Sequence, residues 1–174
     1  MPNETIYVGF STHVGRDWKW LVSWAIRKFM GTPYSHVYVR IPSASIGRDL
    51  IYEASGTTVH FSGGEQFGKR SRVVKEYELS VTPEAKVAMF RFAIDNLEKP
   101  YGTCELVGFA WVRACARFGW RVKNPCGDRG SKYVCSELVA AVLEDLGYDL
   151  GDELSSLTPR DVDEFLASKG LPAR

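Results

Sequence analysis

The apolar run Thr5–Ser11 (TIYVGFS), rich in branched and aromatic residues, predicts a strand closed by the loop around Gly15. From Asp17 the period changes. Trp18, Leu21, Val22, Ala25 and Phe29 fall at i, i+3, i+4, i+7 and i+11, a stripe that predicts a helix packed on the rest of the protein and ending near Gly31-Thr32-Pro33. Ser35–Ile41, Leu50–Ala54 and Thr57–Phe61 read as strands, the last two joined by a tight hairpin at Ser55-Gly56, and Arg72–Leu79 as a further strand. Between them, Gly63-Gly64 to Lys69-Arg70 reads as a polar, solvated loop. Thr82-Pro83-Glu84 combines an N-cap hydroxyl, proline at the first helical position and an early acid, and Val87, Phe90, Ile94 and Leu97 form the expected buried side. That helix ends at Lys99-Pro100-Tyr101-Gly102. A helix over Thr103–Phe118 is apolar on most sides, and Arg121–Lys132 is a loop. Tyr133–Leu146 is a helix with a stripe of Leu138, Val139, Val142, Leu143 and Leu146, and Thr158-Pro159-Arg160-Asp161 opens the last helix.

With strands gathered in the first half and helices in the second, the pattern predicts an α+β fold. At 174 residues and 45% hydrophobic content the chain has enough apolar surface for one core, so a single domain over 1–174 is expected. A formal charge of +1 implies no general attraction to nucleic acid, which is not expected as a partner. No apolar stretch is long enough for a membrane span, and Met1–Phe10 lacks the layout of a secretion signal, so the expectation is a cytoplasmic chain. Cys104, Cys115, Cys126 and Cys135 match no common zinc spacing. Reduced thiols, no metal and no cofactor are expected.

One cysteine has a setting suited to chemistry. Cys135 falls in the first turn of a predicted helix, where unpaired backbone N–H groups lower a thiol pKa and stabilise an oxyanion, and after the Gly130-Ser131-Lys132 loop it is expected to face the surface. The bland alternative is a small buried side chain. A thiolate also needs an imidazole. His36 starts a strand on the face opposite Val37, Val39 and Ile41, away from the core, whereas His60 and His13 read as surface or structural histidines and stay as runners-up. Glu53 interrupts an apolar strand and demands a partner. It is the candidate to orient His36, against the alternative of a structural ion pair.

SHV at His36, YEA at Glu53, KPYG at Lys99–Gly102, VCSELV around Cys135 and LTPRD at Leu157–Asp161 occur in this order in the circularly permuted papain-like (NlpC-type) cysteine amidohydrolases, which the chain resembles over nearly its whole length. The resemblance implies an antiparallel, barrel-like sheet packed against helices. It also implies Cys135 as nucleophile, His36 as general base and Glu53 as the residue orienting it. Tyr34 is a candidate second oxyanion donor, and Ser136 the neighbour of the thiol on the substrate side. The implied activity is cysteine-dependent amide hydrolysis through a thioester acyl-enzyme, on small or cell-wall-type peptides of bacterial or phage context, with delivery by a phage lysis or injection system as one route.

Two other readings compete. A lipid-directed acyl hydrolase, acyltransferase or thioesterase of the same fold would suit Trp18, Trp20 and Trp24, although membrane contact is the less favoured expectation because a Trp-rich amphipathic helix is usually core. A noncatalytic binding domain would use the basic stretch Arg113, Arg117, Arg121, Lys123, Arg129 and Lys132.

Overall fold

The computed structural model describes residues 3–15, 18–102, 119–120, 122, 132–151 and 157–174. Five strands form one antiparallel sheet: β1 (Glu4–His13), β2 (His36–Ser43), β3 (Arg48–Ser55), β4 (Thr58–Gly63) and β5 (Ser71–Val81), in the order β4-β3-β2-β1-β5. The helices described are α1 (Trp18–Met30), α2 (Gly64–Arg70), α3 (Pro83–Asp95), α4 (Cys135–Asp145) and α5 (Pro159–Ser168).

Strand alternation builds the core. Ile6, Val8 and Phe10 of β1, Val37, Val39 and Ile41 of β2, Tyr52 and Ala54 of β3, and Tyr77 and Leu79 of β5 share one face and are buried against Leu138, Val139, Val142 and Leu143 of α4 and Val162 and Leu166 of α5. Tyr38 and Ile51 point the other way, into a smaller cluster with Phe67 of α2. Tyr38 crosses Gly9 to donate to Glu76 of β5 at 3.0 Å, and a Cβ at Gly9 would meet its ring carbon at 2.2 Å.

The sheet is open, not the barrel expected. Each outer edge is taken by a short extended piece instead of by the other edge: segment 98–101 bonds to β4 through Val59 and Thr57, and the tail 172–174 bonds to β5 through Glu76 and Glu78. Together they cover part of each edge, residues 57–59 beside β4 and 76–78 of β5.

Three further expectations need correction. The stretch read as a polar loop forms α2, because Phe67 packs on Tyr38 with ring centroids 4.5 Å apart and so gives a seven-residue helix a buried anchor. On α3 the buried residues are Met89 and Ala93, while Val87 and Ile94 are exposed. Ala93 is small enough for the Tyr52 hydroxyl to reach its carbonyl at 3.5 Å, and Phe90 meets Phe61 at 6.1 Å, which together set the rotation of the helix. On α1, Leu21, Val22, Ala25 and Phe29 of the stripe expected in the core are exposed, and among the described side chains of the helix Ser23 is the buried one. The expected helix over Thr103–Phe118 lies outside the described residues.

Candidate active site

Helix α4 begins at Cys135 after an extended Val134. Valine has no side-chain oxygen to cap the first turn, so the N–H groups there are left for other acceptors, while Glu137 reaches back to accept from the Val134 N–H at 3.2 Å. The Ser136 N–H donates to the Cys135 sulfur. Contrary to the expectation of a surface position, the residue is only 5% exposed.

β2 and β3 pair from Ser43↔Arg48 to Val39↔Tyr52, and among the described residues that pairing goes no further. Beyond it β2 continues on β1 to His36, and β3 continues on β4 through Glu53. The seam between the two strands opens where α4 arrives, and there the Val37 N–H acts on the Cys135 sulfur and favours its thiolate.

His36 and Glu53 flank this opening. The carboxylate accepts from His36 Nε2 at 2.9 Å, and the imidazole also hydrogen-bonds the Cys135 thiol. With Nε2 on Glu53, Nδ1 is the ring nitrogen left for sulfur. Burial alone would pull the imidazole pKa down, but the hydrogen bonds and charges of Cys135 and Glu53 push it up to about 10. Burial likewise opposes the thiolate. The hydrogen bond and charge of His36, with the Val37 and Ser136 N–H groups, outweigh it and bring the Cys135 pKa below its ordinary value. The arrangement favours a thiolate–imidazolium pair.

Glu53 is buried, yet its carboxylate has several donors. Besides His36, it accepts from Ser62 Oγ at 3.1 Å and from Arg70 Nη2, with His60 Nε2 at 3.5 Å. Burial raises its pKa, and the hydrogen bonds of His36 and His60 with the positive charges of His36 and Arg70 bring it well below the usual carboxylate range. Arg70 ends α2, so the helix missed in the sequence places a cation on the carboxylate that orients the imidazole. His60 sits opposite Glu53 across the β3–β4 pair and donates through Nδ1 to the Thr58 carbonyl at 3.1 Å. It braces Glu53 and does not reach the thiol.

The hydroxyl at the sulfur belongs to Tyr101, not Tyr34. The Tyr101 side chain hydrogen-bonds Cys135, and the thiolate charge and burial push its phenol pKa well above normal, with burial the larger effect. Backbone bonds from Tyr101 to Thr57 at 2.8 Å and from Gly102 to Tyr133 at 3.0 Å tie this segment beside the start of α4. Tyr34 is turned away: its hydroxyl donates to Asp163 at 2.6 Å, in a cluster with Tyr77 and Lys75. The expected oxyanion role for Tyr34 is therefore corrected. The Ser136 hydroxyl is also committed, to the Leu157 carbonyl at 2.5 Å, so the contribution of Ser136 is its N–H. Tyr101 lay within the quoted KPYG turn, where its neighbours proline and glycine suggested only a helix end.

Cys104, Cys115 and Cys126 lie outside the described residues, as do Arg113, Arg117, Arg121, Lys123 and Arg129 of the basic stretch. No protein-family profile matches the sequence, and no curated protein matches it either.

Proposed function

We propose that the chain is a cysteine-dependent acyl hydrolase with a circularly permuted papain-like arrangement, acting on amide bonds of small or cell-wall-type peptides. One observation carries the chemistry: a thiol at a helix N-terminus, hydrogen-bonded to an imidazole whose other nitrogen is held by a buried carboxylate. The imidazole on an early strand and the thiol on a late helix support the permuted reading. The peptide substrate class rests on the sequence resemblance.

The Cys135 thiolate attacks the substrate carbonyl, forming a C–S bond and moving an electron pair onto oxygen. The Cys135 N–H and the Tyr101 hydroxyl are the oxyanion donors at hand. On collapse the C–N bond breaks, and the His36 imidazolium gives its proton to the departing amine. Neutral His36 then takes a proton from water as it attacks the thioester, releasing the acid and restoring the ion pair. Glu53 holds the ring orientation throughout, braced by Arg70, His60 and Ser62.

The test is to incubate the protein with muropeptides and, separately, with short acyl esters, and to look for an acyl adduct by intact mass. Hydrolysis of the peptides with an adduct on Cys135, both lost in Cys135→Ala, is the expected result. Turnover of esters alone would move the reading to acyl lipids. No turnover and no adduct with either would leave a binding domain.

A further inference from the structure

Helix α1 turns Ser23 inward, with Ile26, Arg27 and Met30 partly buried on the same side. Among its described side chains Ser23 is the buried one, and it shares hydrogen bonds with Thr12 of β1 at 3.2 Å and with Ser35 at 2.6 Å, next to His36. The opposite face carries Leu21, Trp24, Ala25, Lys28 and Phe29 at i, i+3, i+4, i+7 and i+8, with Leu21 58%, Trp24 49% and Phe29 44% exposed. A helix of this composition normally buries such a stripe. Here the hydroxyl cluster holds it away from the core.

We propose that α1 docks on an anionic lipid surface, seating the outward stripe among the acyl chains. Charge selects this occupant. Lys28 lies within the stripe and the helix has no acidic residue, so a second copy seated on this face would bring like charges together, whereas lipid phosphates complement them. A tryptophan and a phenylalanine beside a lysine suit the headgroup boundary, where the ring lies below the phosphates and the amine reaches up to them. The contact is interfacial: among the described residues no helix is long and apolar enough to cross a membrane. The proposal goes beyond the hydrolase reading and stands independently of it, because docking needs no reactive thiol.

The full chain is sedimented with vesicles of phosphatidylcholine alone and of phosphatidylcholine mixed with phosphatidylserine. The expected result is binding to the mixed vesicles and little to the neutral ones. Binding should weaken roughly tenfold or more in Leu21→Gln/Trp24→Gln and about fivefold in Lys28→Gln. Cys135→Ala should bind as the parent does. Unchanged melting temperatures would show that the outward substitutions leave the fold intact. Equal binding to both vesicle types, or no binding to either, would overturn the proposal. So would a concentration-dependent dimer dispersed by the double substitution, since the stripe would then seat a second copy.

Discussion

Cys135 and His36 hold each other in their charged forms, and the pH dependence of turnover follows from that. The thiol limb lies below the ordinary thiol range, and the imidazolium needed to protonate the leaving group persists to about pH 10. On the proposed mechanism, hydrolysis is therefore expected to rise with the thiolate below the ordinary thiol range and to fall near pH 10 as the imidazolium is lost, as a pH profile of kcat/KM would show. On the proposed mechanism, Tyr101→Phe removes one oxyanion donor without opening a large cavity. A loss in kcat of roughly 10²-fold is expected, with KM nearly unchanged. Cys135, His36 and Glu53 were legible because each sits where its own local pattern is informative: a helix start, a strand start, and a charge in an apolar strand. Tyr101 was not, since its place depends on backbone bonds to Thr57 and Tyr133 from distant segments.

At the scale of elements, α2 is the part that sequence pattern conceals. Its seven residues carry one buried side chain, too few for a helical period to show, yet it delivers Arg70 to Glu53. A carboxylate with a depressed pKa stabilises the fold above the ordinary carboxylate range and loses that contribution as the pH falls through its lowered value. Arg70→Ala lessens the depression. The variant is expected to be less stable at neutral pH and to lose less stability on acidification than the parent, which denaturant titrations at several pH values would measure. Helices with complete start signals were easier to read. Thr158 accepts from the Asp161 N–H at 3.3 Å and lies beside Pro159, as its sequence suggested, and Thr158→Ala is expected to cost about 1 kcal/mol in a chemical melt. Periodicity located α1 and α3 but not the faces they bury. The rotation of α3 is set by Tyr52 and Phe61, and that of α1 by a cluster of hydroxyls.

Across the whole molecule, the sheet is finished by pieces that sequence pattern leaves unassigned. The last three residues pair with the β5 edge, and the Arg174 guanidinium joins Arg40 on the buried Glu76 at 3.1 Å. Deleting 172–174 is expected to lower the melting temperature and to promote aggregation through the exposed edge, visible by light scattering. Replacing Gly9 acts on the same sheet from within. Gly9→Ala forces the Tyr38 ring aside and should cost roughly 1–3 kcal/mol. The fold's main consequence is to bring a thiol from the late helix α4 to an imidazole from the early strand β2. The most direct measurement is the rate of Cys135 alkylation by iodoacetamide against pH, read at that residue by mass spectrometry, in the parent protein and in His36→Ala. Modification that persists in the parent to lower pH than an ordinary thiol allows, with the profile shifted up in His36→Ala, is the expected result. Identical profiles in the two proteins would contradict the account.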